Sequence, residues 1–290
     1  MIFAFIDGEK AFPVSVMCRV LRVSRSGFYA FRHRAESHHT REDRRLGVLC
    51  VEAHKRSHRQ CYGAPRVLRE LKTAGVRISG KRVARLLREQ NIRVRPRRRC
   101  TTTTDSAHAL VTAPNLLDRN FTPSAQNGSW AGDVTYLSTP DGFIYLAVVI
   151  DLFSRFVVGW AVSALNDRHL ALKAIEMATR RRRPEPGLLH HTDRGSPYAS
   201  EDYQDFLDGS GMTCSMSRRG NCWDNAVVES FFKTFKAEEG ERFESAHDVK
   251  TRVFEYIEVF FNRVRQHSTL GYTSPAAYEA AQARLMAVAA

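Results

Sequence analysis

The sequence predicts an α/β fold that follows a basic, all-helical region and precedes a helical tail. Strand-like runs rich in Val, Ile, Tyr, Phe and Trp begin only at residue 129, and helix candidates alternate with them from there. Before residue 100, apolar residues recur at helical spacing instead. Charge divides the chain in the same way: residues 41–100 hold 19 Lys and Arg against five Asp and Glu, whereas residues 101–290 carry a net charge of −4.

The first 40 residues are predicted to form a helix-turn-helix-like segment. VSVMCRVL is apolar at helical spacing, and RVSRSGFYAFRH restarts the pattern after Ser24 or Ser26. Two short helices around a tight turn are typical of that element, although two short amphipathic helices also occur in many other folds.

Residues 41–100 are predicted to form a second, basic helical region that binds DNA. A long helix ends at CYGAP, Pro65 suits the first turn of the next helix, and Ser79 can cap the last one. The inner stripe of the last helix is apolar: Val83, Leu86, Leu87 and Ile92. Its other faces carry the cations expected to contact DNA: Lys81, Arg82, Arg85 and Arg88. The alternative is a solvated basic surface.

The overall charge of +13 narrows the class of partner. Clustered positive charge is the electrostatic footprint of phosphate binding, so the expected partner is DNA. The chain has no apolar run near the ~20 residues of a membrane span, and MIFAFIDGEK lacks the basic start of a signal peptide. We therefore expect no membrane partner and a cytoplasmic protein that lies with the chromosome when bound to DNA.

One cluster of Cys and His invites a zinc interpretation. Cys50, His54, His58 and Cys61 span 11 residues of an apparent helix, or ~16 Å at 1.5 Å per residue. One straight helix cannot bring four such ligands around a tetrahedral ion, so zinc is not expected. The six cysteines include no CxxC pair and are interpreted as free thiols.

The order of elements in residues 125–240 predicts a ribonuclease H-like sheet. GSWAGDVTYLST, GFIYLAVVIDLFS and RFVVGWAVS form three strands with short turns, as in an antiparallel meander. A helix, the strand LLHHTD, a second helix, the strand TCSMS and a helix over 224–239 follow. Residues 101–124 are predicted to be a linker, and residues 241–290 a helical tail.

Three carboxylates of this predicted core are candidates for a metal site. Asp133 lies within a strand where a lone buried charge is costly, and Asp193 ends a buried strand. Glu229 shares a helix face with Lys233 and Lys236, opposite the apolar face. Hard oxygen ligands suit Mg²⁺ or Mn²⁺. Two such ions about 3.5–4 Å apart can promote an in-line displacement at phosphorus.

These acids and their sequence contexts resemble a known family. Asp193 and Glu229 are separated by 35 residues, with Asp133 upstream, which is similar to the D, D(35)E pattern of the DDE transposase and retroviral integrase superfamily. WAGDVTYL, HTDRGSPYAS, DNAVVESFFKTFKAE, FNRVRQHSTLGYTSPAAY, VSRSGFYAF and YGAPRVLRELKTAGVRISGKRVARLL resemble the second-frame (OrfB) protein of the IS-three family of bacterial insertion sequences. The resemblance covers nearly the whole chain.

The resemblance implies a DNA transposase with an integrase catalytic core. It implies Asp133, Asp193 and Glu229 as catalytic metal ligands for Mg²⁺ or Mn²⁺, with two ions expected, and Lys236 as a contact to terminal DNA. Lys233 is expected to bind DNA with it. His191, Gly195, Tyr198, Asn225, Asn262, Arg265 and His267 match motif positions without an assigned role.

The resemblance also implies the partners. The family's complete transposase is typically a fusion with a first-frame (OrfA) product, which supplies a helix-turn-helix for the element ends and a leucine zipper. The chain has no heptad zipper, so the second-frame part is expected, acting on element ends and target DNA as a homo-oligomer. Two other functions stay open: a structure-selective nuclease that cuts without joining, and a non-catalytic DNA-binding regulator.

Several other charged residues are predicted to be structural or left undecided. Asp151 ends the second strand and is assigned a structural role, and Asp224 fits a helix N-cap. The run Arg180–Arg183 is predicted to lie in a loop, either solvated or in contact with DNA.

Overall fold

The computed structural model describes residues 2–94, 112–219 and 221–289, without the side chains of Cys222 and Ala289. Much of the linker predicted over 101–124 therefore lies outside the described residues. The helices in chain order are α1 (Ile2–Gly8), α2 (Val14–Val20), α3 (Arg25–His33), α4 (His38–Arg56), α5 (Ala64–Thr73), α6 (Gly80–Glu89), α7 (Arg168–Arg182), α8 (Glu201–Gly209), α9 (Ala226–Glu239), α10 (Ala246–Phe254) and α11 (Pro275–Ala289). A π-helical turn, Glu255–Phe261, extends α10.

Five strands form one mixed sheet in the order β3-β2-β1-β4-β5. They are β1 (Ser129–Thr139), β2 (Gly142–Asp151), β3 (Val157–Ser163), β4 (Leu189–Thr192) and β5 (Thr213–Met216). The first three are an antiparallel meander, and β4 and β5 join β1 in parallel. This is the predicted ribonuclease H-like arrangement, and the predicted fold class is confirmed.

The alternation of side chains along β2 divides the core into two sides. Leu146, Val148 and Ile150 face one side, together with α9, α10 and the π-helical turn. Ala147 and Val149 face the other side, where α7 and α8 pack. A glycine is required on that side, at position 159, because a Cβ there would lie only 2.1 Å from a backbone carbonyl of α7.

Two predicted helix caps and the predicted apolar stripe of α6 are present in the helical region before the sheet. Ser24 caps α3 and Ser79 caps α6, each by accepting a hydrogen bond from a backbone amide of the first turn. Val83, Leu86 and Leu87 of α6 are buried as predicted. They belong to the apolar cluster that extends into the sheet, so α4–α6 are packed onto the rest of the protein.

Two local predictions were wrong. Arg180–Arg182 form the last turn of α7 rather than a loop, and Arg183 ends the helix in a left-handed conformation. Asp224 does not cap α9, because the capping position belongs to Asn225. No helix within the described ranges is both long and apolar enough to cross a membrane.

Candidate active site

Asp133 and Asp193 lie side by side at the centre of the sheet. β1 and β4 run in parallel, and Ala131 pairs with His191. Each aspartate lies two residues further along the same direction, and adjacent strands are about 5 Å apart. Oδ1 of Asp193 accepts a hydrogen bond from the amide of Gly195 at 2.9 Å, which orients the carboxylate just beyond the end of β4.

Glu229 approaches the two aspartates from the first turn of α9. The start of this helix is fixed to β1 by Asn225, whose Nδ2 donates to the carbonyl of Gly132 at 3.0 Å. Gly132 immediately precedes Asp133. The amide of Asn225 therefore couples the position of the helix that carries Glu229 to the strand that carries Asp133.

The three acids are close enough to affect one another electrostatically. Burial raises the pKa of Asp133 well above its ordinary value, and the negative charges of Asp193 and Glu229 raise it further. The amide of Val134, which donates to Oδ1 of Asp133 at 2.8 Å, and the cation of Lys236 oppose the rise in pKa. A raised pKa of this kind is typical of carboxylates that converge with too little positive charge nearby.

Two lysines of α9 border the acids. Nζ of Lys233 lies 3.0 Å from Oε2 of Glu229, one helical turn away. Lys236 lies over the ring of Tyr136, with Nζ 4.5 Å from the ring centroid. Both cations therefore lie on the face of α9 that the sequence predicted.

The acids suit a divalent cation by their chemistry. Asp133, Asp193 and Glu229 supply only hard oxygen ligands, and a cation between them would offset both the burial of the Asp133 charge and its repulsion by Asp193 and Glu229. Within residues 2–94, 112–219 and 221–289, no three His, Cys, Asp or Glu side chains surround a single point as they stand. The three carboxylates thus have the chemistry that a divalent metal ion requires. Their side chains would have to move closer together to bind one.

Ion pairs to one buried acid hold the segment that leads into α9. The carboxylate of Asp224, which is fully buried, accepts hydrogen bonds from Arg218, Arg119 and Asn115 at 2.8–3.0 Å. The Arg218 guanidinium keeps the pKa of Asp224 well below its ordinary value. The structural role that we predicted for Asp224 is thus carried by ion pairing instead of helix capping.

One exposed aromatic residue beside these ion pairs was not among the predicted DNA contacts. Trp223 is 69% exposed in the turn between β5 and α9, six residues before Glu229. A large aromatic side chain in that position is available to a ligand that approaches the acids. Its exposure was not visible from the sequence, where Trp is most often a core residue.

His190 and His191 are part of the core. His190 Nε2 lies 2.8 Å from the hydroxyl of Tyr203, and His191 lies within hydrogen-bonding distance of Ser215 and Ser217. Burial lowers the pKa of His190 to about 3 and that of His191 to about 4. Both rings are therefore neutral near pH 7, and His191 contacts serines of the sheet region.

The depressed pKa of His190 predicts a loss of stability in mild acid. Between pH 6.5 and 3 the unfolded chain binds a proton at this position and the folded chain does not, so the free energy of unfolding falls as the pH falls. We expect about 2 kcal/mol of loss from His190 between pH 7 and pH 5, measured by denaturant unfolding at both pH values. His190→Gln should reduce that difference, and substitution of the exposed His247 should not; an unchanged difference in His190→Gln would contradict the assignment.

The predicted DNA-binding cations of α6 form two groups. Arg82 and Arg85 each donate to Asp43 of α4 at 2.7 Å, so both also tie α6 to α4. Lys81 and Arg88 are exposed on the surface of the same helix. In the Cys and His cluster near α6, His54 Nδ1 lies 2.8 Å from the carbonyl of Tyr62.

Comparison with known families agrees with this architecture. Models described as integrase core domain match residues 123–222 and 210–275, and an HTH-like domain model matches residues 40–99. The catalytic core domain of HTLV-2 integrase, solved in complex with magnesium, is 18% identical, covers 52% of this chain and 95% of its own, and has a TM-score of 0.40. The fold and the integrase core matches define an integrase-type polynucleotidyl transferase.

Two relatives narrow the class. The transposase InsF for insertion sequence IS3A of Escherichia coli (strain K12) is 43% identical over 284 residues, which is 96% of this chain and 98% of the relative. The insertion element IS600 uncharacterized 31 kDa protein of Shigella sonnei is 42% identical over 264 residues, which is 90% of this chain and 97% of the relative. The chain belongs to the IS3 family of bacterial insertion-sequence transposases, and it is a DNA transposase.

Proposed function

We propose that Asp133, Asp193 and Glu229 are the catalytic residues of this transposase and that they bind two divalent ions, Mg²⁺ or Mn²⁺. The observation that carries the proposal is their convergence: two neighbouring strands and one helix bring together acids that lie far apart in sequence. When bound, the ions polarise the reacting phosphodiester and offset the charge that develops on its oxygens. The protein positions the carboxylates: Gly195 orients Asp193, and Asn225 fixes the start of the helix that carries Glu229.

The reaction proposed has two steps. Hydrolysis of a phosphodiester at the element end adds water across the P–O bond and frees a 3′-OH. The oxygen of that 3′-OH then forms a new bond to phosphorus in the target strand, and the 3′-oxygen of the cut target strand leaves with the proton. Each step breaks one P–O bond and forms one. No covalent bond between protein and DNA is required.

The path of the DNA is also part of the proposal. Lys233 and Lys236 contact phosphates next to the acids, and the exposed ring of Trp223 stacks on DNA that enters the site. Lys81, Arg82, Arg85 and Arg88 of α6 contact the phosphate backbone further away, and in Arg82 and Arg85 this contact competes with Asp43. We place the catalytic core at 125–240, after a helix-turn-helix-like segment over 1–40, a basic helical DNA-binding region over 41–100 and a linker over 101–124, and before a helical tail over 241–290.

We also propose how the transposase assembles. The chain acts as a homo-oligomer on DNA, in partnership with a first-frame product or as a fusion with it, on the bacterial chromosome in the cytoplasm. The positive charge concentrated in residues 41–100 supports the DNA contact. It does not distinguish between the fused and the separate first-frame product.

Binding to DNA should weaken steeply as salt is raised, since each phosphate contact releases counterions. Replacing Lys81 and Arg88 with Gln should reduce the slope of log K against log salt concentration by roughly 2. Fluorescence anisotropy with a labelled duplex over a series of salt concentrations measures this slope. Lys250→Gln, an exposed cation of α10, is the control and should leave the slope unchanged. A binding affinity that does not depend on salt would contradict the proposed role of the basic helices.

A strand-transfer assay tests the proposed chemistry. The protein is incubated with a duplex element end that carries a preformed 3′-OH, with target DNA, and with Mg²⁺ or with EDTA. Joined product that requires the metal supports the proposal. Cutting without joining would favour the nuclease alternative, and the same DNA binding with no product under any condition would favour a non-catalytic regulator.

A further inference from the structure

The last two residues of α9 form an ionic junction between three parts of the chain. Glu238 and Glu239 are both buried, although they lie at the negative end of the helix dipole, where carboxylates are disfavoured. Two buried acids in this position require cations around them. The cations come from the basic helical region of residues 41–100 and from the tail.

Glu238 is contacted from both directions. Arg265 of the tail donates to both carboxylate oxygens at 2.7 Å, and the hydroxyl of Tyr256 donates to Oε2 at 2.8 Å. From the other direction, Nη1 of Arg66 in α5 lies 3.4 Å from Oε1 of Glu238. Arg66 is itself held in place, because its Nε donates to the carbonyl of Gln266 and its guanidinium lies over the ring of Tyr62.

Glu239 is likewise contacted by cations from both the basic helical region and the tail. His58 and Arg59, which precede α5, both contact its carboxylate, Arg59 at 2.9 Å. Arg252 of α10 donates to the same carboxylate at 3.0 Å and also to the backbone carbonyl of Glu239. Each glutamate therefore connects the basic helical region of residues 41–100 to the tail.

A cavity lies beside this ionic junction. The cavity has a volume of about 540 Å³, and its lining includes Arg59 and Arg66 on one side and Thr234, Ala237 and Glu238 of α9 on the other. The ion pairs at the end of α9 bridge it.

The junction lies on the same rigid element as the candidate active site. Glu238 follows Glu229 by nine residues, about 13.5 Å along a helix, and Lys236 lies between them. A shift of the last turn of α9 relative to α5 therefore moves Glu229 relative to helices α4–α6. Arg265 matched a family motif without an assigned role. Its contact with Glu238 gives it one, which is to connect the tail to α9.

We propose that Glu238 and Glu239 are positioning residues that hold the catalytic helix in register with the basic helical region of residues 41–100. The inference rests on the proposed function, in which the basic helical region binds DNA and Glu229 takes part in cutting it. Its consequence is that the junction sets the distance along DNA between the gripped segment and the phosphodiester that is cut.

The test maps the position of cleavage. A labelled duplex that carries the end of the chain's own insertion element is cut by the parent protein and by Glu238→Gln/Glu239→Gln, and products are sized to one nucleotide. We expect a single cut position for the parent. In the double variant the rate at that position should fall by ~10²-fold, as for a displacement of about 1 Å, and cuts should spread to neighbouring phosphodiesters. DNA affinity should not change.

A matched control separates positioning from general stability. Glu279 of α11, whose side chain is 14% exposed, also forms a two-bond ion pair, with Arg182 of α7 at 2.9 and 3.0 Å, so Glu279→Gln removes a similar charge at another boundary of the tail. It should retain the parent's cut position. Arg66→Gln removes the contacts of Arg66 with Glu238, Gln266 and Tyr62 but leaves Arg265 and Tyr256 on Glu238, so it is the second variant if the double variant folds poorly. Cutting by the double variant or Arg66→Gln at the parent position, slowed no more than Glu279→Gln, would overturn the proposal.

A second measurement does not depend on activity. Hydrogen exchange of the α9 amides is recorded with and without duplex DNA for the parent and for Arg66→Gln. We expect DNA to slow exchange in α9 of the parent and to have less effect on α9 in the variant. An equal response in both proteins would overturn the junction's role. Absence of cleavage by the parent would contradict the proposed function, and the exchange result would still decide the inference.

Discussion

Glu229→Gln is expected to lower the rate of strand transfer by at least about 10³-fold, because the substitution removes an anionic ligand from the proposed metal site. Metal ions contribute several kcal/mol to phosphoryl transfer, and each 1.36 kcal/mol corresponds to a tenfold change in rate. Gln has nearly the same size, and its side-chain oxygen can still accept from Lys233, so the start of α9 should keep its structure. Initial rates of joined product at saturating Mg²⁺ measure the effect.

The control for this prediction is another acid in the same local setting. Glu176 pairs with Arg180 four residues later in α7, at 2.8 Å, as Glu229 pairs with Lys233 in α9. Glu176→Gln should transfer strands at the parent rate. DNA affinity should be retained in Glu229→Gln, since Lys233 then loses a competing negative charge and remains available to phosphate. A variant at position 229 with the parent rate would remove this residue from the proposed catalytic set.

The fold was predictable because its signals are local and repeated. The alternation of apolar residues in β1–β3, the single-turn links and the caps at Ser24 and Ser79 each depend on a few neighbouring residues. The candidate acids were also predictable, because their motifs are specific. Their spatial relation needed the strand register, in which Ala131 pairs with His191.

What escaped prediction depends on contacts between distant parts of the chain. Asp224 looked like a helix cap because it precedes α9, but its partners include Arg119, more than 100 residues earlier. Likewise, Glu238 meets Arg66 across 172 positions. Such pairs leave no periodic signal, and an acidic residue near a helix end is equally compatible with a solvated surface.

Arg265→Met is expected to lower the free energy of unfolding by about 3–5 kcal/mol, the usual cost of leaving one member of a buried ion pair alone. The side chain of Arg265 is 2% exposed. Burial opposes its charge, but Tyr256 and Glu238 more than compensate and raise the pKa of the guanidinium. In the variant Glu238 keeps only Tyr256 and the longer contact from Arg66. For a protein whose total stability is typically 5–15 kcal/mol, this loss is large.

Denaturant unfolding at pH 7 measures the change, with Arg180→Met as the control. Arg180 is 79% exposed in its pair with Glu176, and exposed pairs contribute little, so this variant should unfold close to the parent midpoint. Adding Glu238→Gln to Arg265→Met should restore part of the stability, because the stranded carboxylate is then neutral and its hydrogen bond to Tyr256 can remain. If the double variant is instead destabilised by the full sum of the two single changes, Arg265 stabilises the fold through its packing on Phe261 and not through Glu238.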